Sequence, residues 1–295
     1  MKLKLILISL IFLNLGCKED ILIGDQTIDV IEAGISSMND IPDDVSNENL
    51  ASNQNYLKKS PWIKLLESVQ ILKAHAADCT GRAGGLTCSA GEKNYNYLNC
   101  TIPSTNQVLN GSVSLMYSDT ANCTLDTNGE SVTRRYDYTR TTSWGAVVTT
   151  TDDNKVDYTG GAPYGGGGIL TNVSGNFILE IDGKHKTRTT AGGRSALDLS
   201  IRTTSPITMS SLSRISRSIN GGRLEIAHNI RKFTVALVPS NLNFDTTCCY
   251  PTSGSISVAI SGSINATGLV EFNGCGNATL AKNGVTKNIG LYSCE

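Results

Sequence analysis

Three histidines, His75, His185 and His228, and nine cysteines are the side chains of this 295-residue chain best suited to metal or nucleophilic chemistry. No H-x-x-x-H or H-E-x-x-H spacing joins the histidines, which argues against a zinc hydrolase. His228 shares an alternating pattern with Ile226 and Ile230, the setting of a hydrogen-bonded core histidine. Thiolate metal sites need cysteines clustered at spacings such as C-x2-C. Here the tightest separations are C-x8-C and the adjacent pair Cys248-Cys249, so no metal site is expected. Gly193-Arg194-Ser195-Ala196-Leu197 misses the closing glycine of a nucleophile elbow. Gly165 to Gly168 follow Pro163-Tyr164 without the G-K-[ST] of a phosphate cradle, which leaves a loop or a bulge. Asp126, Asn128, Gly129 and Glu130 lack the spacing of a calcium loop and read as a turn. Asp152, Asp153, Asp157, Glu180 and Glu271 could serve glycoside hydrolysis only if the fold gathered two of them. No cofactor is implied.

A charge bias is more distinctive. Between Lys184 and Lys232 lie ten bases, among them Lys184, Lys186, Arg188, Arg214, Arg217 and Arg223, against Asp198 and Glu225. If these strands adjoin, their outward positions present a basic surface to an anionic glycan, a lipid headgroup or an envelope protein. Nucleic acid is not expected, because no aromatic stacking platform is interleaved with the bases.

The first seventeen residues, MKLKLILISLIFLNLGC, set Lys2 and Lys4 before a short apolar run that ends in Leu15-Gly16-Cys17. That run is too short to span a bilayer and has the layout of a secretory signal peptide. Leu15-Gly16-Cys17 resembles the lipobox of bacterial lipoproteins, with Asn14 where that motif prefers leucine. The resemblance covers residues 1–17 alone. It implies removal of residues 1–16, acylation of Cys17 and a lipid anchor in the cell envelope, and Lys18 after the cysteine points to the outer membrane. Setting Cys17 aside leaves Cys79, Cys88, Cys100, Cys123, Cys248, Cys249, Cys275 and Cys294. An even set in an exported chain predicts four disulfides.

Elements to hold these residues follow from composition and period. Charged residues make up 17% of the chain, and Gly, Ser, Thr and Asn are abundant, which favours strands and turns over helices. Residues 17–58 read as a solvated tether, with nine acids against Lys18 between Lys18 and Tyr56, and with a strand at Ile21 to Ile31 as the alternative. Ser60-Pro61 opens a helix to about Ala77, in which Trp62, Leu65, Leu66, Val69 and Leu72 form an apolar stripe to dock on a sheet. Beyond Cys79 the period becomes two. Val113, Leu115 and Tyr117 alternate with polar residues, as do Phe177 to Ile181, Leu197 to Ile201, Leu224 to Ile230, Phe233 to Leu237 and Ile256 to Ile260. Asn-Gly pairs starting at Asn110, Asn128, Asn220, Asn273 and Asn283 suit hairpin turns. Asp182-Gly183 reads as another hairpin, with a loop that pairs Glu180 with Lys186.

The expected fold is therefore mainly β: an antiparallel meander, sandwich or open curved half-barrel, with one N-terminal helix packed on it and disulfide staples, over residues 59–295. Segments 100–129 and 249–284 share the order Cys, Pro, Gly-Ser-aliphatic-Ser-aliphatic, Cys, Thr-Leu-x-x-Asn-Gly, an apparent duplication. It suggests the pairs Cys100 with Cys123 and Cys249 with Cys275, leaving Cys79 with Cys88 and Cys248 with Cys294. The functional expectation is a non-catalytic envelope lipoprotein that binds or scaffolds a surface partner. The alternatives are a lipid carrier with an apolar groove and an envelope hydrolase using paired carboxylates.

Overall fold

The computed structural model describes residues 30, 31, 33–35, 37, 38, 80–83, 87–102, 106–152, 157–160, 166–245, 248, 250–275, 277–282 and 285–290. Cys17, the 60–77 helix, His75 and the 1–17 leader lie outside them. Sixteen strands follow one another: β1 (Thr80–Ala83), β2 (Glu92–Ile102), β3 (Gln107–Tyr117), β4 (Ser131–Thr141), β5 (Val147–Thr151), β6 (Gly167–Val173), β7 (Asn176–Thr189) and β8 (Ser195–Ser205). Then come β9 (Ile207–Met209), β10 (Ser218–Asn220), β11 (Arg223–His228), β12 (Phe233–Asn243), β13 (Ser253–Gly262), β14 (Ala266–Asn273), β15 (Asn277–Lys282) and β16 (Val285–Gly290).

All sixteen join one antiparallel sheet rather than two. β5 and β6 pair with different halves of β4 and β7, so together they make one interrupted strand between them. β8 with β9, and β10 with β11, are likewise two broken strands side by side. Allowing for these breaks, every strand pairs with its sequence neighbour, which is a meander. The local cause is plain in the sequence, because each of the six alternating apolar runs lies in a strand with one face buried. Leu109, Leu115, Leu179, Leu199, Ile201, Leu224, Ile226, Val235, Leu237 and Ile256 are fully covered. Ile230 alone leaves the pattern, exposed in the turn after β11.

The inner face also carries a helix that was not expected. Residues 30, 31, 33–35, 37 and 38 are helical, and all of them are buried. At 3.6 residues per turn they cover more than half of the helix circumference. The solvated tether expected over 17–58 therefore does not hold for this stretch. Its closest approach is at Gly34, where a Cβ would collide with the Leu237 side chain and crowd Ile226 and Leu224. Glycine brings the helix backbone down onto β11 and β12.

Three further expectations are corrected. First, Asp182-Gly183 makes no hairpin, since β7 runs straight through it with a bulge opposite Gly167 and Gly168. Second, the duplication fails on topology. Gly111-Ser-Val-Ser-Leu115 lies in β3, directly before the loop with Cys123, whereas Gly254-Ser-Ile-Ser-Val258 lies in β13 with β14 intervening before Cys275. Third, the disulfides join Cys88 to Cys123 and Cys248 to Cys275, and Cys100 is bridged as well. Antiparallel topology sets the β1–β2 connection beside the β3–β4 connection, and likewise β12–β13 beside β14–β15. Loops at one end of the sheet are thus stapled to each other, where the sequence suggested cysteines across single hairpins. Asn110-Gly111 sits inside β3, while Asn273-Gly274 ends β14 and a two-residue connection joins Lys282 to Val285.

Candidate anion-binding cluster on the inner face

The bulge at Asp182-Gly183 decides where the bases of β7 point. A bulge adds one residue to a strand and reverses which side chains face which way beyond it. Before it Leu179 and Ile181 are buried, and after it Lys184, Lys186 and Arg188 take over the inner face. Their register partners confirm the side: Lys184 lies opposite Ile201, Lys186 opposite Leu199 and Arg188 opposite Leu197. Gly167, opposite Gly183 and at φ +83°, makes room for this kink, because a Cβ there would meet the Arg134 carbonyl at 2.8 Å. Gly167 and Gly168 of the glycine run thus accommodate a bulge.

Across the broken β5–β6 strand, β4 presents Val132, Arg134, Tyr136, Tyr138 and Arg140 to the same face. Arg140 pairs with Val148, which pairs with Arg188, and Tyr138 reaches Lys186 through Thr150. Five cations, Arg134, Arg140, Lys184, Lys186 and Arg188, each less than 10% exposed, are thereby gathered on one apolar wall. Tyr136 is their hub: the Arg134 guanidinium carbon lies 4.1 Å and Lys184 Nζ 4.9 Å from its ring centroid. These are cation–π distances. Lys184 Nζ also donates to Ser37 Oγ at 3.3 Å, tying the cluster to the 30–38 helix. Burial holds the Arg140 guanidinium down at about 10, Tyr138 opposing the shift and Arg188 adding to it.

Asp152 borders the cluster where the chain leaves β5. Its Oδ2 accepts the Tyr136 amide at 2.7 Å, and Oδ1 is buried without a hydrogen-bond partner among the described residues. Burial raises this carboxyl to about 6, against the pull of the Tyr136 amide, Arg135, Arg134 and Lys184.

Of the six bases expected on an outer surface, Lys184, Lys186, Arg188 and Arg217 are buried. Lys184, Lys186 and Arg188 are turned inward by the bulge. Arg217 is buried and donates to the Leu212 and Ser211 carbonyls, bracing the loop after β9. Arg223 is exposed but shares Glu225 with Arg202, at 3.2 and 3.3 Å. The Arg214 side chain lies outside the described residues. Arg134, Tyr136, Tyr138 and Arg140 were missed, although the period-two order Arg-Tyr-Tyr-Arg on one face of β4 was there to be read.

The remaining candidates have structural roles. His185 faces the outer side, 2.8 Å from Asp198, and Asn229 bridges Asp198 to Ser200. Tyr158 closes over this patch by bonding Asn229 and Thr234. His228 is a core histidine whose ring lies 5.0 Å from that of Phe233, tilted by 47°. Glu180 and Glu271 are exposed on β7 and β14, which β8, β11, β12 and β13 separate. Asp157 is engaged with Thr159, and Asp153 lies outside the described residues. Asn128 and Glu130 are spent on turn hydrogen bonds to Ser174 and Thr127. Among the described residues no group of three or more His, Cys, Asp or Glu could hold a metal, and no helix is long and apolar enough to cross a membrane. No protein-family model, curated protein or solved structure matches the chain.

Proposed function

We propose that this protein is a non-catalytic bacterial envelope lipoprotein, anchored through acylated Cys17, whose β domain carries an anionic amphiphile. The observation that supports this reading is the buried set Arg134, Arg140, Lys184, Lys186 and Arg188 within an apolar face. A strand face that sets five cations beside Leu197, Leu199 and Ile201 offers positive charge and apolar area together, which suits a ligand with a negative head and an apolar body. This is the carrier alternative of the sequence reading, and it displaces recognition by an outward basic surface. The fixed register gives the cluster its selectivity, since cations on β4 and on β7, with the β5–β6 strand between them, are held roughly 10 Å apart.

The test is native mass spectrometry and lipid extraction of the protein isolated from membranes. The expected result is bound anionic lipid or fatty acid in the wild type. In the folded Lys184→Met/Lys186→Met/Arg188→Met variant this ligand falls at least about tenfold. Ligand-free wild-type protein, or equal loading of the variant, refutes the carrier. Failure to incorporate labelled palmitate at Cys17 refutes the anchor separately.

A further inference from the structure

Antiparallel meanders send alternate connections to the same end, and here the two ends differ in chemistry. One end holds the connections after β1, β3, β6, β9, β12 and β14. They carry Asp119, Asp126, Glu130 and Asp245 against Arg214 and Arg217, and both described disulfide pairs lie there. The other end holds the connections after β2, β4, β7, β11, β13 and β15. Those segments bring Arg194, Arg231, Lys232 and the flanking Lys282, against Asp198, which bonds Asn229 of the β11–β12 connection, and Asp157, next to Tyr158 on the same asparagine.

The same net-basic rim bears exposed apolar side chains. Trp144 is 38% exposed, Ile230 43% and Val285 70%. Arg194, Arg231 and Lys232 are exposed beside them. The rim is continuous in places. A Cβ on Gly145 would touch Ala191 at 3.2 Å, joining the β4–β5 and β7–β8 turns. Ser263 donates through Oγ and its amide to the Arg231 and Lys232 carbonyls at 2.7 and 2.9 Å, joining the β11–β12 and β13–β14 turns.

From this juxtaposition we infer that the net-basic end of the sheet docks on an anionic bilayer surface, with Trp144 and Ile230 entering the interface and Arg194, Arg231 and Lys232 against the headgroups. Tryptophan prefers the boundary between water and hydrocarbon, where its ring is half apolar and its N–H can bond. Exposed cations near an anionic leaflet each multiply binding several-fold, so three together reach on the order of a hundredfold. The acidic, disulfide-stapled end is repelled by the same surface, which orients the domain. The docking stands whether or not Cys17 is acylated and whether or not the inner face holds a ligand.

The chain has two tryptophans, Trp62 and Trp144, so full-length Trp62→Phe protein reports on Trp144 alone. Vesicles of phosphatidylcholine with about one-third phosphatidylglycerol should shift Trp144 emission to the blue. Brominated acyl chains should quench it, and high salt should reverse both effects. Phosphatidylcholine alone should do neither. Arg231→Glu/Lys232→Glu should weaken the response at least about tenfold with an unchanged circular dichroism spectrum. Should those two substitutions unfold the protein, Arg194→Gln/Lys282→Gln gives the same readout from other hairpins. Unquenched Trp144 on anionic vesicles overturns the inference even if the protein sediments with them through its apolar N-terminus. So does an equal response to neutral vesicles or to the folded charge variants.

Discussion

Asp152 and His228 load the fold with opposite responses to pH. Burial raises the Asp152 carboxyl to about 6, so the folded state holds a proton that the unfolded chain releases near 3.8. Stability from this residue is greatest in acid and declines as pH rises from about 4 to about 6. His228 works in reverse: burial, with Arg231 adding and Asp198 opposing, lowers it to about 4. Its neutral form is kept in the fold, so stability is complete above the ordinary 6.5 and is lost as pH falls toward 4. The Asp152 contribution is about 1 kcal/mol once its partial exposure is discounted, and that of His228 about 2 kcal/mol. Urea titrations at several pH values should separate them. His228→Phe should leave a protein that gains stability on acidification from pH 6 to 4, and Asp152→Asn one that loses it more steeply than wild type. Parallel profiles for the two variants would mean that neither group titrates as its burial implies. His228 as a core residue was legible from its alternation with Ile226. Asp152 was not, because its burial comes from a strand break that no local pattern announces.

The helix and the β7 bulge are the elements on which the inner face depends. Gly34 lies where the helix meets Leu237, Ile226 and Leu224. In an isolated helix Gly→Ala gains about 1 kcal/mol. Here Gly34→Ala should lose stability, by about 1 kcal/mol, and Gly34→Leu by about 3 kcal/mol, as overpacked contacts do. Chemical denaturation with limited proteolysis near residues 30–38 checks this, and a stabilised Gly34→Ala protein would mean the helix is not packed on β11 and β12. The helix was partly legible, since Val30, Ile31, Gly34, Ile35 and Met38 recur at helical spacing. It is short, contains glycine and sits among nine acids, so composition pointed to a tether. Asp182-Gly183 shows a different ambiguity: the same dipeptide suits a hairpin turn and a bulge, and only pairing with β5, β6 and β8 selects between them.

At the scale of the molecule, loop closure favours the oxidised form. Bridges spanning 35 and 27 residues each contribute about 3.5 to 4 kcal/mol in the chain-entropy account. Peptide mapping of unreduced protein should recover Cys88 with Cys123 and Cys248 with Cys275. Cys100 should also be recovered in a bridge, while Cys79, Cys249 and Cys294 lie outside the described residues. Recovery of Cys100 with Cys123 would overturn the meander order at β1 to β4. Oxidised cysteines and the β class were legible in the sequence because each is local: an even count once Cys17 is set aside, and apolar residues recurring every second position. Which cysteines meet, and whether Lys184, Lys186 and Arg188 face water or the apolar wall, was decided only in the tertiary structure. A strand's alternation fixes its two faces relative to each other. One extra residue in a bulge exchanges them, and long-range pairing alone determines where that residue is placed.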